Sequence, residues 1–319
     1  GNFNEISSIN YYIQPKKQVS AFVTELTGIS NDMLKDKEYF EEVAQELYEF
    51  IKDDILVCHG LPSDYVILKK RFHDVGICYK AKLSLDTVEL SRLFMPSQVS
   101  YKLSDLSNSL TLYSGDKYHN AAVDVNVTVK LLKEIAIKIA SINEDNYKQI
   151  ETLLEKIDIS MYKFAKFCRK NVIGREHISG EFISFQGINF RKVFYPTKST
   201  NHREKYILFS SIDAEEYIRK FKVSDFVILK KKTSYIPLNA FSLFPKKEDL
   251  NLDKLLIKLY VWILETRTGD FSELNLLYLE KMYIDGIKKG VSISSKSYYF
   301  DEKNKVAQSC KNIVTNYES

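Results

Sequence analysis

Two short clusters of polar side chains contain the residue types that metal-assisted or acid–base chemistry needs. Residues 58–64 read CHGLPSD and follow the apolar run ILV, and residues 118–124 read YHNAAVD and open a helical pattern. Carboxylates hold hard divalent cations, and a histidine can accept a proton from water near neutral pH. Asp64 and Asp124 are therefore candidate metal ligands, and His119 is a candidate general base.

Each of these residues also has a structural interpretation that the pattern leaves open. Asp64 can cap the helix that follows it, and a histidine five residues before an aspartate is common by chance. His59, at a strand end, is more readily explained as a hydrogen-bonded structural residue. Asp86 is either a helix cap or a further polar residue of the same cleft. The two clusters therefore indicate chemistry only if their side chains converge in one cavity.

Alternating strand and helix patterns in the first half position these clusters. Strands are predicted at 5–13, 55–59 and 83–87, and helices at 38–52, 64–72, 88–94, 103–110 and 121–140. Short apolar strands between helices indicate an α/β domain with a partly parallel sheet. In such sheets, functional residues collect at the carboxyl ends of the strands, and residues 58–64 fall at one of these ends.

The second half is less regular, and a polar stretch at 141–150 is its predicted boundary. We predict strands at 181–195, 206–212 and 226–230, helices at 158–170, 213–221 and 253–265, and a loop at 283–300. The basic run Lys230, Lys231 and Lys232 can contact phosphates, although a solvated strand end is the more common explanation of such a run.

Composition limits the class of protein. With 45% hydrophobic and 28% charged residues, the chain is typical of a globular protein with a real core. A formal net charge of +4 permits a nucleic-acid partner without requiring one. Four scattered cysteines without a C-x-x-C pair indicate a reducing setting. No apolar run is long enough to span a bilayer, so we expect a cytoplasmic protein without a membrane partner; the oligomeric state is not specified.

Five motifs in order resemble those of DnaQ-type 3′–5′ exonucleases of the histidine-containing branch. They are residues 20–34 (SAFVTELTGISNDML), 55–68 (ILVCHGLPSDYVIL), 85–90 (LDTVEL), 101–106 (YKLSDL) and 118–132 (YHNAAVDVNVTVKLL). The resemblance implies a ribonuclease H-like fold, a mixed sheet with flanking helices, over residues 1–140. It also implies phosphodiester hydrolysis at single-stranded DNA 3′ ends with two Mg²⁺ or Mn²⁺ ions.

The resemblance carries roles to individual residues. Asp64 matches the aspartate of the second exonuclease motif, Asp124 matches a metal-binding aspartate of the third, and His119 matches the general base. The first motif, an Asp-x-Glu on the first strand, finds no match in residues 1–15, which align with the second strand. We therefore expect a domain that lacks its first strand. With two of four carboxylates it would hold two adjacent cations poorly, so we expect weak or no nuclease activity.

The second half resembles part of the DinG-type helicases, which in Gram-positive bacteria follow an exonuclease domain. The resemblance depends mainly on residues 261–276 (VWILETRTGDFSELNL), with support from 226–239 and 312–317. No Gly-x4-Gly-Lys-Ser/Thr (Walker A) loop occurs, and serines stand where the family has its cluster-binding cysteines. We therefore predict a partial, degenerate helicase-like α/β region over 151–319, without ATP and without an iron–sulfur cluster.

Two functions remain open from sequence. One is part of a 3′–5′ DNA exonuclease joined to a helicase-like region. The other is a non-catalytic module, derived from such a protein, that binds nucleic acid or another protein. An Asp-x-Glu upstream of Gly1 in the native gene would favour the enzyme, because it would supply the missing ligands.

Overall fold

The computed structural model describes residues 3–113, 121–174, 181–192, 206–209, 226–228, 230, 232–290, 297–309 and 312–315. His119, Lys231 and the predicted helix at 213–221 lie outside the described residues. The chain divides into two compact units, residues 1–142 with 151–177 and residues 143–150 with 178–319. The domain limits predicted from sequence, 1–140 and 151–319, stay a prediction.

The first unit is rich in helices. They are α1 (Ala21–Thr27), α2 (Asn31–Leu34), α3 (Phe40–Ile51), α4 (Leu61–Asp74), α5 (Thr87–Phe94), α6 (Leu103–Ser109), α7 (Ala121–Ser141) and α9 (Ile159–Asn171); α8 (Glu144–Ile157) spans the unit boundary in sequence. Ser20 and Ser30 cap α1 and α2 with their hydroxyls, and Gly28 ends α1 at a φ of 73°. Serine caps and a left-handed glycine are the usual signals for such helix ends.

A parallel pair of strands forms the centre of the candidate site. Strand β1 (Ile55–Cys58) pairs in parallel with β2 (Leu83–Asp86), and the register places Ile55 opposite Leu83 and Cys58 opposite Asp86. Both strands end at the same edge because they run in one direction and finish in register. The residues after each strand, His59 and Thr87, are therefore brought side by side.

Helix α7 supplies much of the core of the first unit. Its buried residues recur at helical spacing, and they are Val127, Thr128, Leu131, Leu132, Ile135, Ala136 and Ile139. This face packs against α5, α6 and α9. A second apolar cluster surrounds Phe72, whose ring contacts Tyr48 and Tyr79. The packing anchors both α7, which carries Asp124, and α4, which carries Asp64.

The predicted strand at 5–13 is wrong. The backbone from residue 3 to residue 19 forms no regular element, and the side chain of Ile6 is 98% exposed. Within the described part of this unit, β1 and β2 pair only with each other, so the mixed sheet implied by the resemblance is represented there by two strands. Apolar residues favour a strand only where a partner strand takes up their N–H and C=O groups; here the N–H of Gln14 donates to the carbonyl of Glu38 instead.

The second unit contains two small sheets. Strands β3 (Phe182–Phe185) and β4 (Ile188–Arg191) form an antiparallel hairpin. Gln186 and Gly187 connect them with φ values of 51° and 74°, as a two-residue hairpin turn of the favoured twist requires. The strand predicted at 181–195 is therefore two strands. Three further strands form a parallel sheet in the order β5 (Tyr206–Phe209), β7 (Asn312–Thr315), β6 (Phe226–Ile228).

The described helices of the second unit overturn the loop predicted at 283–300 for residues 283–290 and 298–300, while residues 291–296 lie outside the described residues. The helices are α10 (Ala240–Leu243), α11 (Leu250–Trp262), α12 (Tyr278–Gly290) and α13 (Tyr298–Ser309). Ile284 and Ile287 are buried one turn apart on α12, and Tyr299 is buried at the start of α13. The loop was predicted from the many Ser, Lys and Gly residues, and that composition does not reveal the helical spacing of the apolar residues. No helix in the described part of the chain is long and apolar enough to cross a membrane.

Substitution of Gly269 by alanine should strongly destabilise the second unit. Gly269 has a φ of 70°, and an added Cβ would lie 2.1 Å from the Cγ of the buried Tyr299 ring. Left-handed strain and the steric clash should together cost about 3 kcal/mol or more of unfolding free energy. Urea unfolding followed by fluorescence of Trp262, the single tryptophan, measures the loss.

Gly286→Ala is the matched control. Gly286 lies within α12, and an added Cβ would meet nothing within 4 Å. Alanine should therefore raise the unfolding free energy by about 0.5–1 kcal/mol. Equal stability of the two variants would contradict the close approach of Tyr299 to the Gly269 backbone.

Candidate functional site

The carboxylate of Asp86 links the carboxyl ends of the two parallel strands. Its Oδ1 accepts hydrogen bonds from Gly60 N at 3.0 Å and Val88 N at 2.8 Å, and its Oδ2 accepts one from Leu61 N at 3.2 Å. Gly60 begins α4 in a left-handed conformation and has no side chain with which to cap it. Asp86 therefore caps α5 and also accepts from partly buried N–H groups at the start of α4, which have no partner within the helix.

His59 is held by both of its ring nitrogens. Nδ1 lies 2.9 Å from the hydroxyl oxygen of Thr87, and Nε2 lies 3.0 Å from the carbonyl oxygen of Tyr101. A carbonyl only accepts, so Nε2 carries the proton. The Thr87 hydroxyl lies 3.3 Å from the carbonyl oxygen of Cys58 as well, and in the neutral ring its single proton would be given to Nδ1, the shorter contact. Burial lowers the pKa of His59, which favours this neutral form. The structure thus agrees with a hydrogen-bonded structural role.

Three carboxylates act electrostatically on the His59 ring. Asp86, Asp124 and Asp64 each raise its pKa, opposing the effect of burial. Asp64 lies in the first turn of α4 and Asp124 in the first turn of α7. The two candidate metal ligands therefore come from the starts of two different helices, and the charge of each opposes the effect of burial on the same ring.

The environment of Asp64 is electronegative and partly buried. Burial raises the pKa of Asp64, and the negative charge of Asp86 raises it further. The Cys58 thiol hydrogen-bonds to Asp64 and counters part of this shift. Burial, together with the two carboxylates, raises the pKa of Cys58 to about 11. The thiol is therefore protonated at neutral pH and acts as a donor to Asp64.

The available donors fit a hard divalent cation in kind but are few. Mg²⁺ prefers oxygen ligands, and it commonly takes one or two carboxylates together with waters and substrate phosphates. Asp64 and Asp124 provide such carboxylates, whereas Asp86 is occupied by three backbone N–H groups. In the described segments, no group of three His, Cys, Asp or Glu side chains is arranged to hold a metal ion. The carboxylates of Asp64 and Asp124 thus suit one hydrated divalent ion but are too few to hold two such ions.

The structure says less about the remaining candidates, His119 and the three lysines at 230–232. His119 lies among residues 114–120, outside the described ranges, and its role as general base stays a prediction. Lys230 is ion-paired with Asp270 at 2.8 Å and hydrogen-bonded to Ser272 at 2.9 Å. Lys232 begins a short 3-10 helix, and Lys231 is outside the described residues. Contacts of these lysines with nucleic acid stay a prediction.

The Thr-Gly-Asp segment of the second unit forms an internal hydrogen-bond network around Glu273. The Glu273 carboxylate accepts from Trp262 Nε1 at 3.0 Å, Thr266 Oγ1 at 2.7 Å, Thr268 N at 2.9 Å and Thr268 Oγ1 at 2.6 Å. Four donors match the lone-pair capacity of a carboxylate. The residues that carry the helicase resemblance are therefore engaged in structural contacts.

Comparison with known proteins agrees with the motif-based resemblance. Residues 1–132 match the family model described as exonuclease (RNase_T). Over 98% of its length the chain is 26% identical to the 3′-5′ exonuclease DinG of Staphylococcus epidermidis. It is 25% identical, again over 98%, to the protein of the same name from Staphylococcus aureus. The chain spans less than half of these relatives, 43% and 44% of their lengths.

These matches concern mainly the first part of the chain. Residues 1–132, less than half of the 319 residues, are similar to the exonuclease family. The particular proteins to which nearly the whole chain is similar are those named 3′-5′ exonuclease DinG. The resemblance to a DnaQ-type exonuclease joined to a DinG-type segment is thereby confirmed.

The sequence analysis did not identify the hydrogen-bond roles of Cys58 and Thr87. Cys58 was noted only as a scattered cysteine, and Thr87 only as part of the LDTVEL motif. Their positions, at the end of β1 and directly after β2, were visible in sequence. The parallel register that brings them together was not.

We expect His59 to stay neutral, with its proton on Nε2, as the pH falls to about 6.5, the ordinary pKa of histidine. Because burial lowers its pKa in the folded protein, the unfolded chain binds more protons below that pH. His59 therefore contributes stability above about pH 6.5 that is lost as the pH falls further. Ring ¹H–¹⁵N correlation spectra measure both tautomer and charge.

Two threonine variants sharpen this test. Thr87→Val removes the hydroxyl that donates to Nδ1 and should destabilise the first unit by about 1–3 kcal/mol. Thr128→Val is the control, because the Thr128 hydroxyl donates only to a helix carbonyl, that of Asp124. A ring that is charged at pH 6.5, or protonated on Nδ1 when neutral, would contradict the assignment.

Proposed function

We propose that this chain is part of a protein that removes nucleotides from the 3′ ends of single-stranded DNA, with Asp64, Asp124 and His119 as the reacting groups. The observation that carries the proposal is the position of the two aspartates at helix starts, Asp64 in the first turn of α4 after the parallel β1–β2 pair and Asp124 in the first turn of α7. Both residues lie within the segment that matches the exonuclease family. The name 3′-5′ exonuclease carried by the full-length relatives supports the direction of cleavage.

The residues would divide the work by their chemistry. Asp64 and Asp124 would hold Mg²⁺ or Mn²⁺ through carboxylate oxygens. A divalent cation in such a site activates water and stabilises charge on the phosphate. His119, which precedes the first turn of α7 that carries Asp124, would take the proton of the attacking water. A new oxygen–phosphorus bond forms, the bond to the neighbouring 3′ oxygen breaks, and a nucleoside 5′-monophosphate leaves.

Activity of the 319 residues by themselves should be low. Asp64 and Asp124 are two of the four carboxylates that the family uses, and Asp86 is committed to backbone donors. Two divalent ions at close range repel each other unless enough anionic ligands surround them. A single weakly held ion would leave the phosphate charge incompletely stabilised.

Nucleotide release from 3′-labelled single-stranded DNA in Mn²⁺ tests the proposal. We expect slow release by the unchanged chain, and release at background level in His119→Ala and Asp124→Asn. Loss of a general base or of a metal ligand typically costs about 10²-fold or more in rate. Asp54→Asn is the matched control, since Asp54 is an exposed turn residue ahead of β1 and should leave the rate unchanged.

The possible results separate the two functions. Residual release that persists in both His119→Ala and Asp124→Asn would contradict the assigned residues. Rapid release by the unchanged chain, abolished in both variants, would confirm the site and contradict the expected low activity. DNA binding without any release would instead support a non-catalytic binding module.

We also expect no DNA-stimulated ATP hydrolysis by these 319 residues. A phosphate-binding loop needs Gly-x4-Gly-Lys-Ser/Thr so that backbone N–H groups can surround the phosphates, and this pattern does not occur in the sequence. Phosphate release with and without single-stranded DNA measures it. Turnover that rises with added DNA would show that the second half has been misinterpreted.

A further inference from the structure

Asp86 has no part in the proposed reaction, yet its side chain makes three hydrogen bonds at the edge of the site. We propose that Asp86 is a positioning residue that fixes the turn between β1 and α4 and thereby sets the place of Asp64. This inference depends on the proposed function and deepens it, because it names a residue that prepares cation binding without contacting the cation.

The first argument is the identity of the donors that Asp86 holds. Two of them, the N–H groups of Gly60 and Leu61, belong to the turn that starts α4. The first turn of a helix leaves its N–H groups without intrahelical partners, and Gly60 offers no side-chain acceptor. Without the Asp86 carboxylate, two successive N–H groups just before Asp64 would lose their acceptors.

The residue next to Asp86 contacts His59. Thr87, the residue after Asp86, places its hydroxyl 2.9 Å from Nδ1 of His59. Residues 86 and 87 thus hold three consecutive residues, 59–61, by side-chain contacts. Asp64 follows this segment by three residues, less than one turn of α4. Its carboxylate can therefore be displaced by any shift of the segment.

The charge of Asp86 would also favour a cation at Asp64. A carboxylate near the site attracts a cation, and Asp86 would do so without using the ligand positions of Asp64, because its own oxygens accept from backbone N–H groups. Replacing a residue that hydrogen-bonds to a metal ligand or orients it commonly lowers metal affinity about 10–100-fold.

The variant Asp86→Asn tests the positioning role, because it removes the negative charge and one acceptor oxygen while the side chain keeps nearly the same shape. Asparagine keeps one oxygen, and its amide nitrogen, a donor, replaces the other. The remaining oxygen can accept either from Gly60 N and Val88 N or from Leu61 N, so at least one turn N–H loses its acceptor. Asp158→Asn is the matched control in the same unit. Asp158 caps α9 by accepting from Met161 N at 2.8 Å, and an asparagine oxygen can replace that single bond.

Cation binding is measured by titrating the full 319-residue chain with Mn²⁺ and following water-proton relaxation. We expect Asp86→Asn to weaken Mn²⁺ binding about tenfold or more and Asp158→Asn to leave it unchanged. Equal Mn²⁺ affinity of Asp86→Asn and the unchanged chain would overturn the positioning role. Thermal melting of both variants checks that each remains folded.

Amide hydrogen exchange gives a readout that is independent of the metal. In Asp86→Asn, the amide that then faces the asparagine nitrogen, that of Leu61 or of Gly60 according to the side-chain orientation, should exchange about tenfold faster or more, because it loses its acceptor. Both amides should be unchanged in Asp158→Asn. Unchanged exchange in Asp86→Asn overturns the inference even if the chain binds Mn²⁺. Failure of the unchanged chain to bind Mn²⁺ overturns the proposed function, and the role of Asp86 in cation binding with it.

Discussion

The parallel pairing of β1 with β2, closed at its carboxyl end by the Asp86 carboxylate, is the constraint on which the candidate site depends. Because the strands end in register, the N–H groups that start α4 face the carboxylate that starts α5. A buried N–H without an acceptor costs about 1–3 kcal/mol, so this arrangement resists displacement. The location of Asp64 follows from it, as does the contact between Thr87 and His59.

The second unit is organised by buried polar groups in a different way. Glu273 accepts four hydrogen bonds within the segment that resembles DinG-type proteins. Lys258 and Glu280 form an ion pair at 2.6 Å between α11 and α12, with side chains 2% and 4% exposed. Removing one partner of such a pair leaves an uncompensated charge and is strongly destabilising. The similarity to the relatives in this region can therefore be explained by the need to stabilise the fold as well as by a need for chemistry.

Apolar periodicity predicted helices well where one helix face is buried. It predicted a strand wrongly at 5–13, because a strand forms only beside a partner strand. The helices predicted at 88–94, 103–110 and 121–140 agree with α5, α6 and α7 within one residue at most ends, because a buried apolar face repeats every three to four residues. The stretch 5–13 has strand-like composition, but a strand depends on hydrogen bonds to residues distant in sequence. Within the described residues, the loop prediction is wrong at 283–290 and 298–300 for the opposite reason, since polar composition concealed buried Ile284, Ile287 and Tyr299.

The sequence by itself determined the similarity of the first 132 residues to the exonuclease family, the order of the motifs and the candidate chemistry of Asp64, His119 and Asp124. These properties depend on residue identity and spacing, which are local and can be compared directly. Only the tertiary structure decided that Asp86 accepts from the start of two helices and that Thr87 contacts His59. The contacts of Asp86 with Gly60 and Leu61, and of Thr87 with His59, join residues that the parallel register brings together across a crossover of more than twenty residues. Hydrogen-bond geometry over that distance depends on the packing of the whole unit, which no single motif encodes.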